Sequence, residues 1–191
     1  MKKILVLPVV LLCIVLLPGC GSRSNGTNSG PVFSFDGRNN YAGFAGLSSS
    51  YSEEAAKKDG CAVRRDGKFT ANKTAWTDFV KTASEGKNAA VRLADFYAEK
   101  GKGPYFLDVF YRDGSYYLFD SSSEDLGKHP FRHLLILTGK AGNPPRDGGA
   151  VVLTDDTGLT FDEVQKSYLS SDTRATDKIS PFRLVMFQEE S

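Results

Sequence analysis

The sequence predicts an α+β domain, with a mostly antiparallel sheet of about five to six strands and two main helices packed on one face. Two segments, around Trp76 and around Tyr168, have the periodicity of amphipathic helices. Asp113-Gly114 lies between two segments of alternating hydrophobicity, which is the pattern of an antiparallel hairpin. The other apolar segments are short and bounded by Gly or Pro, as strands are.

The first helix is predicted from Asn72 to Gly86. Asn72 or Thr74 can cap the free backbone N–H groups at its start, and Gly86 supplies a left-handed stop. Residues three or four apart form one apolar face, namely Trp76, Phe79, Val80 and Ala83. Trp76 is interpreted as the anchor of the helix on the sheet, and stacking on carbohydrate is the alternative.

Three strands are predicted next, at residues 89–97, 105–111 and 116–119. In the second strand, Asp108 shares a face with two phenylalanines, and the opposite face is formed by Tyr105, Leu107, Val109 and Tyr111. The turn between the second and third strands contains Asp113-Gly114, a pair that tolerates the positive dihedrals of a type I′ turn. This turn predicts a tight hairpin.

The C-terminal part predicts a strand at 131–137 ending at Gly139, a loop at 140–149 and a returning strand at 150–153. Thr160 and Glu163 have the spacing of a capping box, which predicts a second helix. A closing strand at 182–187 follows Pro181, whose missing donor is tolerated at a strand edge.

The N-terminus has the layout of a secretion signal. Lys2 and Lys3 precede an apolar segment, residues 4–17, that is too short for a membrane span of roughly 20 residues. The segment ends at Leu17-Pro18-Gly19-Cys20, which resembles the lipobox of bacterial lipoprotein precursors, although Pro18 is uncommon at its position. We therefore predict cleavage between Gly19 and Cys20 and lipid on Cys20; an ordinary signal peptide or an uncleaved anchor is the alternative.

This assignment predicts three regions: a removed signal peptide at 1–19, a flexible Ser/Gly/Asn-rich tether at 20–58, and a single α+β domain at 59–191. The aromatic residues between 31 and 52 dock on the domain, form an edge strand, or form a partner-seeking arm. Cys61 would be the only free thiol of the mature chain, which excludes an internal disulfide. Without Lys2 and Lys3 the formal charge falls from +1 to about −1, which does not indicate a polyanionic partner.

No motif identifies a catalytic centre, a metal site or a cofactor. His129 and His133 are separated by Pro130, and on a strand they would lie too far apart to share one ion. The acidic segment 120–125 lacks the glycine and the final acid of a calcium loop. No nucleophile elbow, phosphate-binding glycine loop or basic stripe for nucleic acid is present. The candidate ligand-binding residues are Tyr116, Tyr117, Asp120, Glu124 and Asp125.

From Asn72 to Phe187 the chain resembles a family of small uncharacterised lipoproteins of Gram-positive bacteria, known only as a domain of unknown function. The matching motifs are Trp76-Thr77-Asp78-Phe79, Val91-Arg92-Leu93, Leu107-Asp108-Val109-Phe110-Tyr111-Arg112-Asp113-Gly114, and Asp120 with Glu124-Asp125-Leu126-Gly127. An acidic Glu-Gly stretch is expected after the first strand of the family, where this chain has Glu99-Lys100-Gly101-Lys102-Gly103. The resemblance implies location and fold, and it implies no catalytic residues.

The sequence favours a lipoprotein on the extracytoplasmic face of a cell membrane, or in the outer membrane of a host with two membranes. Its domain would bind an envelope protein or polymer. One alternative is a surface enzyme acting on wall or extracellular polymer, with carboxylates from Asp108, Asp120, Glu124 and Asp125. The other is a structural or stress-response lipoprotein without a small ligand.

Overall fold

A computed structural model describes residues 33–37, 40–99, 103–170 and 176–189 of the chain. The predicted signal peptide, Cys20 and the start of the predicted tether lie outside these residues. The elements are α1 (Glu53–Lys58), β1 (Ala62–Arg65), β2 (Lys68–Ala71), α2 (Lys73–Ser84), β3 (Ala89–Phe96), β4 (Tyr105–Arg112), β5 (Ser115–Asp120), β6 (His133–Ala141), β7 (Arg146–Thr154), α3 (Phe161–Leu169) and β8 (Phe182–Glu189). The predicted α+β class is confirmed.

The strands are divided between two sheets. Five strands have the order β2-β1-β3-β4-β5, and three have the order β6-β7-β8. The pairing of β1 with β3 is parallel, and the other pairs of named strands are antiparallel. Phe131 still bridges to Tyr116 of β5, but β6 then pairs with β7 and starts the second sheet.

The apolar side chains between the two sheets form the main core. The five-stranded sheet contributes Leu93, Val109 and Leu118, and the three-stranded sheet contributes Val151 and Val185. The helix α2 adds its predicted apolar face to this core, with Trp76, Phe79 and Ala83 buried. In contrast, α3 packs on the outer face of the three-stranded sheet through Phe161 and Val164. The two main helices therefore cover different sheets.

The opposite face of the five-stranded sheet is covered by residues that the sequence analysis placed in the tether. Tyr41 is buried, and α1 packs on the sheet through Ala56, which is fully buried. Phe44, Leu47 and Tyr51 pack against the same cluster. The part of the predicted tether that the structure describes thus contributes a layer of the domain, because its aromatic side chains bury apolar surface.

The helices α3 and α2 differ in whether a side chain caps the first turn. In α3 the predicted capping box is present, with Thr160 and Glu163 bonded to each other's backbone N–H. In α2, Asn72 is the N-cap residue but its side chain does not cap the helix. The Asn72 amide donates instead to the carbonyl oxygens of Lys57 and Cys61, at 2.8 and 3.0 Å. Asn72 therefore joins the start of α2 to the segment after α1.

One of the two predicted hairpins matches the structure, and the other is longer than predicted. The β4–β5 turn is confirmed: Arg112 pairs with Ser115, and Asp113 and Gly114 both have positive φ. The second hairpin extends further than predicted, because β6 continues past Gly139 until Ala141 pairs with Arg146. Gly139 faces the Phe161 ring, which a Cβ at this position would overlap, so this glycine lets α3 approach β6. In the described part of the chain, no helix is long and apolar enough to cross a membrane.

Candidate ligand-binding pocket beside the β4–β5 hairpin

The two tyrosines predicted as ligand-binding residues lie on opposite faces of β5. Tyr116 packs toward the main core, with its ring centroid 4.7 Å from that of Tyr111. Tyr117 is the cross-strand partner of Phe110 on the other face, and there it lines a pocket. The structure therefore assigns Tyr116 to the core and leaves Tyr117 as the candidate.

The predicted acidic candidates are not gathered around this pocket. Asp120 accepts hydrogen bonds from the backbone N–H and the hydroxyl of Ser122, at 2.8 and 2.7 Å. Asp125 accepts from the Gly127 N–H at 2.9 Å and lies 2.8 Å from His129 Nε2. The Gly127 N–H and then His129 hold the pKa of the exposed Asp125 carboxyl below its ordinary value. These carboxylates stabilise turns.

The carboxylates of the surface-enzyme hypothesis are also separated. Asp108 is fully buried in an ion pair, whereas Glu124 and Asp125 are exposed. Among the described residues, no three His, Cys, Asp or Glu side chains are placed to hold a metal ion. The four acids do not form one catalytic cleft.

The pocket around Tyr117 has a volume of about 290 Å³. Its walls are mainly aromatic and come from three segments of the chain: the lining residues are Phe35, Phe110, Arg112, Asp113, Tyr117, Phe119 and Lys128. Phe110 and Tyr117 are adjacent across the β4–β5 ladder, and cross-strand aromatic pairs of this kind stabilise the sheet as well as forming a surface. Phe35 contacts Phe119 edge to face, with 5.6 Å between ring centroids.

Charged side chains lie at the rim of the pocket. Lys128 Nζ is 4.3 Å from the centroid of the Phe35 ring, which is cation–π distance. Arg112 Nε lies 3.8 Å from a carboxylate oxygen of Asp113, and both side chains are largely exposed. An ion pair in this position is weak, since water screens it. Both cations therefore remain accessible to a ligand.

The segment before α1 positions both the aromatic wall and the basic rim. Tyr41 stacks on Phe119, with centroids 4.2 Å apart and planes 17° from parallel. The Tyr41 backbone N–H donates to the carbonyl of Leu126 at 3.0 Å, and Leu126 lies in the loop that carries Lys128. Tyr41 also pairs with Phe35 through a β-bridge. The pocket geometry thus depends on Tyr41.

A buried ion pair holds Tyr41 in place. Arg92 on β3 binds Asp108 on β4 through two hydrogen bonds of 2.7 and 2.6 Å, and the Tyr41 hydroxyl donates to the same carboxylate. Arg92 donates further to the Gly43 carbonyl at 2.8 Å. Burial alone would lower the pKa of Arg92, but Asp108 and the Tyr41 hydroxyl raise it above its ordinary value. The guanidinium is therefore held in its charged form.

Aromatic rings surround this pair. The guanidinium carbon of Arg92 lies 5.6, 5.5 and 5.9 Å from the ring centroids of Phe33, Phe44 and Phe106. The sequence contained one signal of the pair, since Arg92 and Asp108 interrupt otherwise apolar strands. Their contact could not be inferred from spacing, because it depends on the register of β3 against β4.

Cys61 lies under the same layer. It is a free thiol, 1 % exposed, and desolvation raises its pKa to about 12. A thiol with so high a pKa is almost entirely protonated at neutral pH and is a poor nucleophile. Cys61 therefore acts as a small apolar core residue.

Two other cavities are lined by residues from different sheets or elements. A cleft of about 460 Å³ lies between the sheets, with Arg64, Asp95 and Asp120 among its lining residues. A groove of about 540 Å³ lies between α3 and the β6–β7 hairpin, beside the exposed Leu169. The first is bordered by a closed ion pair between Arg64 and Asp95. The groove also places an exposed arginine, Arg146, beside aromatic side chains. The pocket at Tyr117 differs in having two exposed cations, Arg112 and Lys128, and a residue that the sequence predicted as a ligand-binding candidate.

No protein-family model, curated protein or solved structure matches this chain. Its resemblance to the Gram-positive lipoprotein family stays a prediction from the motifs.

Proposed function

We propose that this protein is an extracytoplasmic lipoprotein, anchored by lipid on Cys20, whose domain binds a component of the cell envelope through the pocket at Tyr117. The anchor is supported by the cationic start, the short apolar segment and the Gly19-Cys20 junction. A polar segment rich in Gly, Ser and Asn follows Cys20, which is typical of the connection between an anchor and a domain.

The observation that carries the binding role is the pocket itself. It combines aromatic walls, which supply apolar contact area, with a few charged groups that can orient a ligand, and this is the usual composition of a ligand site. The stacking of Tyr41 on Phe119 and its bond to Asp108 fix the walls before any ligand arrives. A fixed site loses less conformational entropy on binding than a mobile one.

The anchor is tested by comparing two cysteine variants of the full-length protein in its host or a bacterial expression host. We expect Cys20→Ser to leave the membrane fraction and to lose incorporation of labelled palmitate. Cys13→Ser is the matched control, because Cys13 lies within the predicted signal peptide; it should remain membrane-bound and labelled. Retention of both the label and membrane attachment by Cys20→Ser would refute the anchor.

The binding role is tested by site-specific photo-crosslinking in intact envelopes. A photoreactive phenylalanine replaces Tyr117 in one variant and Tyr105 in the control, since Tyr105 is similarly placed at the surface of a strand but lies outside the pocket. We expect a reproducible crosslinked product at position 117 alone. Equal products at both positions, or none at position 117, would contradict a binding role for the pocket.

A further inference from the structure

We propose that the pocket at Tyr117 binds an acidic saccharide, a sugar ring that carries a carboxylate, such as the uronic-acid unit of an envelope polysaccharide. The inference rests on the proposed function and names the ligand class for the same site. Three features carry it: the aromatic walls, the two cations and the single carboxylate among the described residues that line the pocket.

The aromatic walls favour a ring with an apolar face. Phe35 and Tyr117 come from different segments, so a ring that enters between them contacts side chains on more than one side. The volume of about 290 Å³ is just below the usual range of roughly 300–1,000 Å³ for ligand sites. A single ring-sized unit therefore suits the pocket better than a folded peptide.

The cations require a negative charge on that unit. Arg112 is 68 % exposed and its contact with Asp113 is long, so its guanidinium can pair with a ligand carboxylate. Lys128 adds a second positive charge from another segment of the chain, and its Nζ lies beside the Phe35 ring. The pocket lining contains two cations and one carboxylate, so its net charge is positive. A neutral ring would form no ion pair with these cations.

Asp113 distinguishes a sugar from other anionic rings. A carboxylate accepts hydrogen bonds and donates none, so a ligand needs donor groups to use it. Sugar hydroxyls are such donors, whereas an aromatic acid such as benzoate has none apart from its own acid group. A polymer of glycerol phosphate has charge and hydroxyls but lacks the ring that the aromatic walls would contact. An acidic sugar satisfies all three features.

The ligand class is tested with four defined probes on the lipidated protein purified in detergent: trigalacturonate, neutral maltotriose, benzoate and poly(glycerol phosphate). Titration calorimetry at low salt should show trigalacturonate binding about tenfold or more tightly than each other probe, a difference of about 1.4 kcal/mol. Its affinity should fall as salt is added, because exposed charges are screened. Equal or tighter binding of any other probe would overturn the acidic-saccharide assignment.

Charge variants locate the binding. Arg112→Gln and Lys128→Gln change exposed side chains, so the fold should persist, and each should weaken trigalacturonate binding by about tenfold. Lys140→Gln, an exposed lysine on the other sheet, is the control and should leave binding unchanged. If trigalacturonate does not bind while position 117 still crosslinks in envelopes, the ligand class is wrong and the binding role stands. If trigalacturonate binds equally to all three variants, it binds elsewhere and this inference is wrong.

Discussion

The five-stranded sheet contains two buried ion pairs. Both consist of an arginine and an aspartate, but their surroundings differ. Each joins directly opposed residues of neighbouring strands, Arg64 with Asp95 and Arg92 with Asp108. The first pair lies on the face toward the three-stranded sheet and borders the cleft between the sheets. The second lies on the opposite face, under the segment before α1.

The difference is in what each pair holds. Arg92 and Asp108 have further partners in Gly43 and Tyr41, whose segment forms part of the pocket. Arg64 and Asp95 bind each other beside a cleft, with Nε 2.5 Å from the carboxylate. Desolvating two charges costs free energy that a pair regains only with good geometry and additional hydrogen bonds. The Arg92–Asp108 pair, called the enclosed pair below, therefore positions the segment before α1 as well as joining two strands.

The enclosed pair should give the larger loss of stability when its arginine is removed. Arg92→Met leaves the Asp108 carboxylate buried without its cation, and we expect a loss of about 3–5 kcal/mol at neutral pH. Urea unfolding of the purified protein, followed by fluorescence of the single Trp76, measures this loss. A loss below about 1 kcal/mol would show that the pair does not hold the layer.

The loss in Arg92→Met should depend on pH. Burial raises the pKa of Asp108, and Arg92 and then the Tyr41 hydroxyl oppose that shift. Arg92→Met removes the larger opposing cause and keeps the burial, so the pKa of Asp108 should rise further in this variant. A carboxyl with a raised pKa in the folded state favours folding below its unfolded pKa, and that contribution is lost as the pH rises through the folded pKa. The reference is the double variant Arg92→Met/Asp108→Leu, which lacks the carboxyl. As the pH is lowered, the free energy of unfolding of Arg92→Met should rise relative to that of the double variant. A difference that is constant with pH would contradict this assignment.

The same substitution in the other pair should cost less. Arg64→Met leaves Asp95 at the border of the cleft, where 11 % of its side chain is exposed and water can solvate the carboxylate. We expect a loss of about 1.5–3 kcal/mol, the range for a hydrogen bond to a charged group. The same urea experiment decides the comparison, and equal losses in the two arginine variants would remove the distinction between the pairs.

The sequence predicted the elements whose signals are local. The type I′ turn at Asp113-Gly114 and the capping box at Thr160 depend on residues within one turn, and the structure contains both. The predicted face of α2 was also correct, because helical spacing alone determines which residues are adjacent. Asn72, one of the two predicted caps, is the N-cap residue, but its side chain makes no capping hydrogen bond, since its amide bonds to residues more than ten positions earlier.

The site was less predictable, because its parts come from distant segments. Tyr117 was among the predicted binding residues, but Phe35, Arg112 and Lys128 join it only through the fold. The strand β1 was missed since it is four residues long and two of them are arginines. Arg64 is buried only because Asp95 on the parallel strand β3 neutralises it. Parallel pairing of this kind leaves no local turn in the sequence from which to predict it.

The smallest effect is expected from Tyr41→Phe, which separates the hydroxyl of Tyr41 from its ring. The variant loses the bond to Asp108 but keeps the stacking on Phe119, and Asp108 keeps both hydrogen bonds from Arg92. We expect a loss of about 1 kcal/mol in the same urea measurement. Tyr41→Ala, the comparison variant, removes the stacked ring as well and should cost about 3–5 kcal/mol. If the two variants lose the same stability, the stacked ring contributes nothing measurable. The bond from the Tyr41 hydroxyl to the Arg92–Asp108 ion pair would then hold the segment on the sheet and position the pocket wall.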